Sequence, residues 1–387
     1  MRSVRIALIS DTYAPQVNGV STVLRRMTQA LHVAGHPVAM VAPAYPGPSP
    51  ATAIPELRLP SIQFPPYPAI RMTLPRSRRL AGFLDSFEPD IVHVATEGPL
   101  GLLGRAYALK KDVALVTSFH TQFPQYARHY GVPSLEPLVW KWLEWFHRPA
   151  RWTHTPGALV RDELVAHGIP RARVWGTGVD TQHFHPSRRE RHWRRGFGID
   201  EHSVLVLHVG RLAPEKGLDA LMAAWRIAHE ALGKRAVFLV AGDGPKGRVI
   251  DRELPWVRRL GFLDRDALAT LYASADICVL PSPTETCGLV ALEAMASGMT
   301  VIAADAGGFR ESVTNDETGV LVPPDDTLGF AARIVELAMD VTRRRQIGAR
   351  ARESTLARDI RPENEVLFRQ YAELLPVPVT EDAPCAA

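Results

Sequence analysis

The sequence predicts an α/β protein of two doubly wound, mostly parallel domains, and three observations carry that prediction. At 387 residues the chain is long for a single core. Short β-branched runs alternate with amphipathic stretches, as expected of strands buried on both faces between crossover helices. The alternation also runs twice, once in each half of the chain.

In the first half, VRIALIS (4–10) reads as a strand, PQVNG (15–19) as a flexible turn, and residues 21–34 as a helix. PVAMVAP (37–43), DIVHVAT (90–96), ALVTSFH (114–120) and WTHTP (152–156) read as further strands. In the second half SVLVLHVG (203–210) precedes a helix over Leu218–Leu232, then AVFLVAG, ADICVLP, MTVIAAD and GVLVPP follow as strands. His183 to Glu201 is dense in Arg, His and Pro without periodicity, which reads as a linker with a surface helix. A last helix is expected over Pro362–Leu374, and PVPVTEDAPCAA (376–387) as a disordered tail. The expected domains are 1–183 and, with the linker, 184–358, with 359–375 crossing back to the first.

An apolar fraction of 46% and a charged fraction of 22% are those of an ordinary soluble globular protein. No apolar run approaches the ~20 residues that cross a bilayer. The N-terminal MRSVRIALISD stops at Asp11 without a small-residue cleavage site, so it reads as a buried strand rather than a signal peptide. Cys278, Cys287 and Cys385 are too few and too poorly spaced for a disulfide framework or a metal site, and a reducing cytoplasm is expected. A net charge of +4 mildly favours anionic ligands or a membrane surface. The arginine clusters RMTLPRSRR (71–79) and SRRERHWRR (187–195) carry no nucleic-acid signature, so no nucleic-acid partner is expected.

Ligands of open α/β sheets bind beyond the carboxyl ends of the strands, so two such domains facing each other would form a cleft lined by those loops. After LVLHVG comes RLAPEKG (211–217), where Arg211 and Lys216 suit a clamp on phosphate oxygens, with Gly210 and Gly217 allowing tight turns. The alternative is two solvated charges and a helix cap. In PTETCGLVALEAMASG (283–298) a helix should begin near Cys287 or Gly288, offering free amides to a second anion contact. Glu285 before it and Glu293 on it can accept from neutral hydroxyls; alone, each reads as a cap or a solvated helix residue. Taken together they suit a diphosphate with a polyol at each end, which is the layout of a nucleotide sugar.

GRLAPEKG, AGDGP, SPTETCGLVALEAMASG and PQVNGVS resemble the retaining glycosyltransferases of family 4, in particular bacterial lipid-glycosylating enzymes, over about residues 4–375. The resemblance implies a GT-B fold, with the acceptor on the first domain and the donor on the second. It implies that Arg211 and Lys216 hold the diphosphate, Glu285 the donor sugar and Glu293 the ribose. Amides of Thr286, Cys287, Gly288 and Leu289 would add contacts, Cys287 standing where the family often has an aromatic residue. His120 would meet the donor sugar, with a satisfied structural histidine as the alternative. Asn18 and Gly19 would close against the diphosphate and shape the acceptor pocket, with Tyr13, Gln16 and Tyr126 on the acceptor side. Gly210, Gly242, Phe262 and Leu263 complete the expected donor site, base selection falling to loop 261–265. GDP-mannose is the first expectation for the donor and UDP-hexoses the second, with a lipid or saccharide acceptor. His93, His129 and Glu97 are weaker candidates, read as loop positions.

Two patterns imitate other chemistry. GDGPKG (242–247) matches a dinucleotide fingerprint but follows the second strand of its domain, and Pro245 spoils the helix start. Asp264 and Asp266 of DRD imitate a metal-binding pair, but a helix N-cap explains them, and no metal or other cofactor is expected. In LEPLVWKWLEWFHRPARW (135–152), Leu138, Trp142, Trp145 and Phe146 fall near one helical face, which reads as packed. The alternative, an acceptor or bilayer contact, joins Arg71, Arg76, Arg78 and Arg79 in suggesting peripheral binding to anionic lipid at the inner membrane face. The rival function classes are an NAD-dependent enzyme and a nucleotide-sugar sensor without turnover.

Overall fold

A computed structural model describes residues 3–375 except 17, 48–51, 65, 66, 75, 123, 125–132, 176, 177, 198 and 201. The chain divides into two compact units. The first comprises the described residues of Met1–Phe119, Leu143–His154 and Asn364 onward; the second comprises those of His120–Trp142 and Thr155–Glu363. Tyr126, His129 and the expected tail lie outside the described residues.

The N-terminal half contains strands β1 (Ile6–Ile9), β2 (Val38–Pro43), β3 (Glu56–Leu59), β4 (Ser61–Phe64), β5 (Tyr67–Thr73), β6 (Ile91–Val94), β7 (Ala114–Ser118), β8 (Trp152–Thr155) and β9 (Ala172–Val174). The main sheet runs β3-β2-β1-β6-β7-β8-β9. Its centre is β1, IALI, buried throughout and parallel to both β2 and β6. The antiparallel hairpin β4-β5 lies outside this sheet and outside the sequence expectation. In that hairpin Arg71 donates to the Ser61 hydroxyl and carbonyl at 2.7 Å, whereas Arg76, Arg78 and Arg79 are exposed.

The turn expected at Asn18 and Gly19 is instead a helix start. The helix runs Gly19–Val33, and Asn18 caps it by accepting the Ser21 amide at 2.8 Å. A short polar side chain there satisfies an amide that has no partner within the helix. His93 is also corrected: it stands within β6, fully buried, and not in a loop. Its Nδ1 meets the Tyr371 hydroxyl at 2.5 Å and its Nε2 the Ser118 hydroxyl at 2.6 Å, so both ring nitrogens are satisfied internally. Tyr371 belongs to the last helix, Ile360–Ala372. Glu97 is buried and pairs with His147 at 3.3 Å.

The tryptophan-rich helix runs Glu136–His147, but its buried face differs from the one expected. Trp140, Leu143 and Phe146 are buried, while Leu138 and Trp145 are exposed. A 3₁₀ turn at Pro133–Leu135 precedes the helix, and spacing alone located a stripe without its phase.

The second unit holds β10 (Val204–Val209), β11 (Ala236–Ala241), β12 (Arg258–Gly261), β13 (Ile277–Leu280), β14 (Thr300–Ala304) and β15 (Val320–Val322), in the order β12-β11-β10-β13-β14-β15. All paired strands are parallel, as buried apolar runs require. The helix Leu218–Leu232 buries Trp225 against Phe238 of β11, ring centroids 5.2 Å apart. The order reverses at β10, which lies between β11 and β13, and the loops after β10 and β13 meet there.

The linker helix, Arg191–Gly196, leaves His192, Arg195 and Gly196 exposed but turns one arginine inward. Arg194 is almost fully buried, donating to the Ser274 carbonyl at 2.9 Å and to Asp276 at 3.1 Å. Asp276 in turn accepts the Leu205 amide at 2.9 Å at the start of the central strand. Replacing Arg194 by Met strands a carboxylate beside that strand. Chemical denaturation should give a loss of about 3 kcal/mol, the cost of breaking one side of a buried pair.

Candidate functional site

The second unit gathers the donor-side candidates at the carboxyl ends of β10 and β13. Apolar VLVLHV carries the chain to Gly210, after which Arg211 and the 3₁₀ turn Pro214–Lys216 form the first loop. Apolar ICVL carries it to Ser282–Gly288, the second loop, and then to the helix Leu289–Ala296 with Gly288 as its cap. Because β10 and β13 are neighbours, the two loops touch. Lys216 Nζ donates to Glu285 Oε1 at 2.5 Å across 69 residues of chain. The Ser282 and Thr284 hydroxyls donate to the Glu215 carbonyl at 3.4 and 3.3 Å.

Glu285 is half-buried, and its ionisation reflects a contest. Burial works to raise its pKa, but the Lys216 charge and hydrogen bond, a bond from Ser282 and the Arg211 charge outweigh it. The carboxyl therefore sits below the usual carboxylate range and is ionised at neutral pH. Arg211 is held by Glu215, a fully buried carboxylate four residues on. Glu215 escaped the sequence reading; the signal was an acid lying between two cations in RLAPEK.

Glu293 is buried and not solvated as the blander reading had it, and it accepts from the Tyr272 hydroxyl at 3.5 Å. Thr286 donates its hydroxyl to the His120 carbonyl at 3.2 Å, bringing His120 beside the second loop. The His120 ring follows β7 by two residues; burial lowers its pKa to about 4, and Nε2 has no hydrogen-bond partner. It is thus neutral at physiological pH. Cys287 is half-buried, its carbonyl accepting from the Ser312 hydroxyl at 3.3 Å. Phe262 is exposed and Leu263 half-buried, just after β12.

Backbone contacts hold the loops in place. A Cβ on Gly242 (φ +133°) would sit 1.9 Å from the Gly210 carbonyl oxygen, so AGDGP packs directly on the first loop. A Cβ on Gly307 (φ +49°) would lie 2.3 Å from the Glu285 carbonyl oxygen, and the Gly308 amide donates to that oxygen at 2.7 Å. Only glycine tolerates both the positive φ and the approach. Gly307 and Gly308 were missed in the sequence, although a Gly-Gly pair after a strand (ADAGG) is the signal of such contact.

Asp264 caps the helix Arg265–Ser274 by accepting the Ala267 amide at 2.8 Å, and exposed Asp266 pairs with Arg188 at 3.1 Å. Among the described residues no group of three or more His, Cys, Asp or Glu is arranged to hold a metal. The acceptor-side candidates belong to the first unit. Tyr13 is buried with its hydroxyl 3.1 Å from that of Thr28. Gln16 Oε1 accepts from Thr12 and Tyr45, and Asn18 Nδ2 donates to Thr12 at 2.8 Å. Gly19 opens its helix with free space where a side chain would stand.

Two parallel doubly wound α/β units of this kind are those of the GT-B fold. Residues 17–183 match the family described as Glycosyltransferase Family 4, and residues 203–340 that described as Glycosyl transferases group 1. The GDP-mannose-dependent alpha-mannosyltransferase of Mycolicibacterium smegmatis is 36% identical over 360 residues, covering 92% of this chain and 93% of that protein. Its Mycobacterium tuberculosis counterpart is 35% identical over 364 residues, at 92% and 93% coverage. Among solved structures, Anabaena HepE with UDP-glucose shares the fold at a TM-score of 0.77 and 18% identity, covering 96% of this chain and all of that one. The chain belongs to glycosyltransferase family 4 and is a glycosyltransferase, which overturns the NAD-dependent and sensor readings.

The Lys216–Glu285 pair has a defined pH signature. The folded pKa of Glu285 lies below its ordinary 4.5, so its stabilisation is present above that value and is lost as pH falls through the lower folded one. Lys216→Met should therefore be less stable than the wild type at neutral pH, and the deficit should close below the carboxylate range. Denaturant titrations at both ends of that range measure it.

Proposed function

We propose that this chain is a retaining, metal-independent mannosyltransferase that moves mannose from GDP-mannose to a lipid or saccharide acceptor. The observation carrying the reading is the meeting of Lys216 and Glu285, which sets a cation and a carboxylate side by side where the two loops converge. The names of the mycobacterial relatives support the choice of donor. In this reading residues 1–183 take the acceptor and 184–358 the donor, with 359–375 returning to the first domain.

Arg211 and Lys216 hold the diphosphate, aided by Gly210 and by the amides of Thr286, Cys287, Gly288 and Leu289 at the helix start. Glu285 accepts from donor-sugar hydroxyls and Glu293 from the ribose. Gly242, Phe262 and Leu263 border the nucleoside, and Gly19 closes on the diphosphate. His120, neutral at physiological pH, meets the donor sugar near the reacting carbon. On the acceptor side stand Asn18, Tyr13, Gln16 and Tyr126. The departing diphosphate, stabilised by the two cations and the helix amides, takes the acceptor proton on the same face, so configuration is kept without a nucleophilic carboxylate.

In a second reading the donor is a UDP-hexose and the acceptor a diacylglycerol; for the acceptor alone the name of the alpha-monoglucosyldiacylglycerol synthase of Streptococcus pneumoniae, 29% identical over 312 residues, gives support. Among the described residues no helix is long and apolar enough to cross a membrane. Exposed Arg76, Arg78 and Arg79, and exposed Trp145 with Arg105 4.0 Å over its ring, support peripheral contact with an anionic bilayer.

Thermal shifts and product analysis against GDP-mannose, UDP-glucose and UDP-galactose test the donor. Stabilisation and transfer are expected with GDP-mannose, and a response to UDP sugars alone would replace it with the second reading. Arg211→Ala and Lys216→Ala should each lower kcat/KM by about 2–4 kcal/mol of transition-state stabilisation, and unchanged turnover in both refutes the clamp. Flotation with anionic vesicles should carry the protein upward at low salt and release it at high salt; no co-migration at low salt ends the membrane proposal.

A further inference from the structure

His208 lies within β10, two residues before Gly210, and is only 3% exposed. Its Nδ1 stands 2.9 Å from the Val279 carbonyl oxygen on neighbouring β13. A carbonyl only accepts, so Nδ1 carries the ring proton. Burial, offset in part by that bond, lowers the pKa to about 4, and the ring is neutral at physiological pH. Nε2 is therefore a bare acceptor, and it has no hydrogen-bond partner. It lies beside the first loop, 3.6 Å from where a Cβ on Gly210 would stand, and the charges it feels are those of Lys216 and Glu285.

A buried acceptor calls for a donor. Phosphate oxygens at neutral pH are acceptors too, so this lone pair repels a diphosphate lying over the loop. A lysine ammonium has three N–H groups, and one of them already goes to Glu285. We propose that His208 is a positioning residue for Lys216: in the complex with a nucleotide sugar, Nε2 accepts a hydrogen bond from the Lys216 ammonium. That bond, with those to Glu285 and a phosphate oxygen, fixes all three N–H directions. The inference rests on the nucleotide-sugar reading of the site. It adds that the ammonium is aimed by a neutral histidine, one strand residue away from the loop that binds.

The test uses the full-length protein with ¹⁵N-labelled histidine, the His208 ring resonances being assigned by their loss in His208→Gln. In the free protein Nε2 should resonate as an unprotonated, unbonded nitrogen and Nδ1 as a protonated one. Saturation with GDP-mannose should move Nε2 upfield, and the move should vanish in Lys216→Met saturated with the same ligand at higher concentration. An unmoved Nε2 in the saturated wild type overturns the proposal, as does an equal move in Lys216→Met, which would assign the donor to ligand or water. If GDP-mannose fails to bind while a UDP sugar binds, the same measurement is made with the UDP sugar. If no nucleotide sugar binds, the donor-site reading itself falls and takes this inference with it. As a second readout, His208→Phe should weaken donor affinity about tenfold, the scale of one hydrogen bond to a charged group. It should weaken affinity no further when Lys216 is already Met; fully additive losses also overturn the coupling.

Discussion

The geometry of the two strand-end loops depends on the ion pair between Lys216 and Glu285. A half-buried carboxylate held beyond two strand ends must find a cation or lose its charge, because desolvation penalises the ionised form. Lys216 supplies that cation from the loop after β10. The pairing draws together two segments that are far apart in sequence but rise from adjacent strands. The Arg211–Glu215 pair repeats the device within one loop, with a fully buried acid ordering a partly exposed guanidinium. Both cations are thus held by carboxylate partners, which restricts their side-chain freedom.

Backbone contact supplies the rest of the rigidity. Gly242 lets the third loop lie against Gly210, and Gly307 lets the loop after β14 lie against Glu285. Four loops from four strands then form one packed unit. A side chain at either glycine would separate the ion pair from its support. The helix Leu289–Ala296 starts from this packed base with no side chain capping its first turn.

The first unit handles polarity differently. Its sheet buries His93, His147, His154 and Glu97 among hydroxyls and rings, and His93 has both nitrogens bonded at 2.5 and 2.6 Å. His93, satisfied in this way, ties β6 to β7 and to the last helix and has no ring nitrogen left for a ligand. His120 and His208 in the second unit contrast with His93, each having a buried Nε2 without a hydrogen-bond partner. Chemical identity did not separate His93 from these two; only their hydrogen-bond partners did.

The repeated strand–helix alternation, the helix Leu218–Leu232 and the start of the paired-glutamate helix near Gly288 were legible in the sequence. Apolar periodicity and glycine placement are local properties, and they dictate local structure. The candidate site's two loops were legible too, since RLAPEK and ETCG stand directly after strong strand signals. Four things were not: the Glu215 partner of Arg211, the buried role of Arg194, the Gly307 contact, and the orphaned nitrogen of His208. The Arg211–Glu215 pair depends on how one loop folds back on itself, and the other three on which strands become neighbours, a long-range choice made by burial across the whole sheet. Sequence by itself determined what could stand at the strand ends. The tertiary structure decided which of those groups meet, because a carboxylate, a cation or a ring nitrogen acquires its chemistry from neighbours that the chain brings up from tens of residues away.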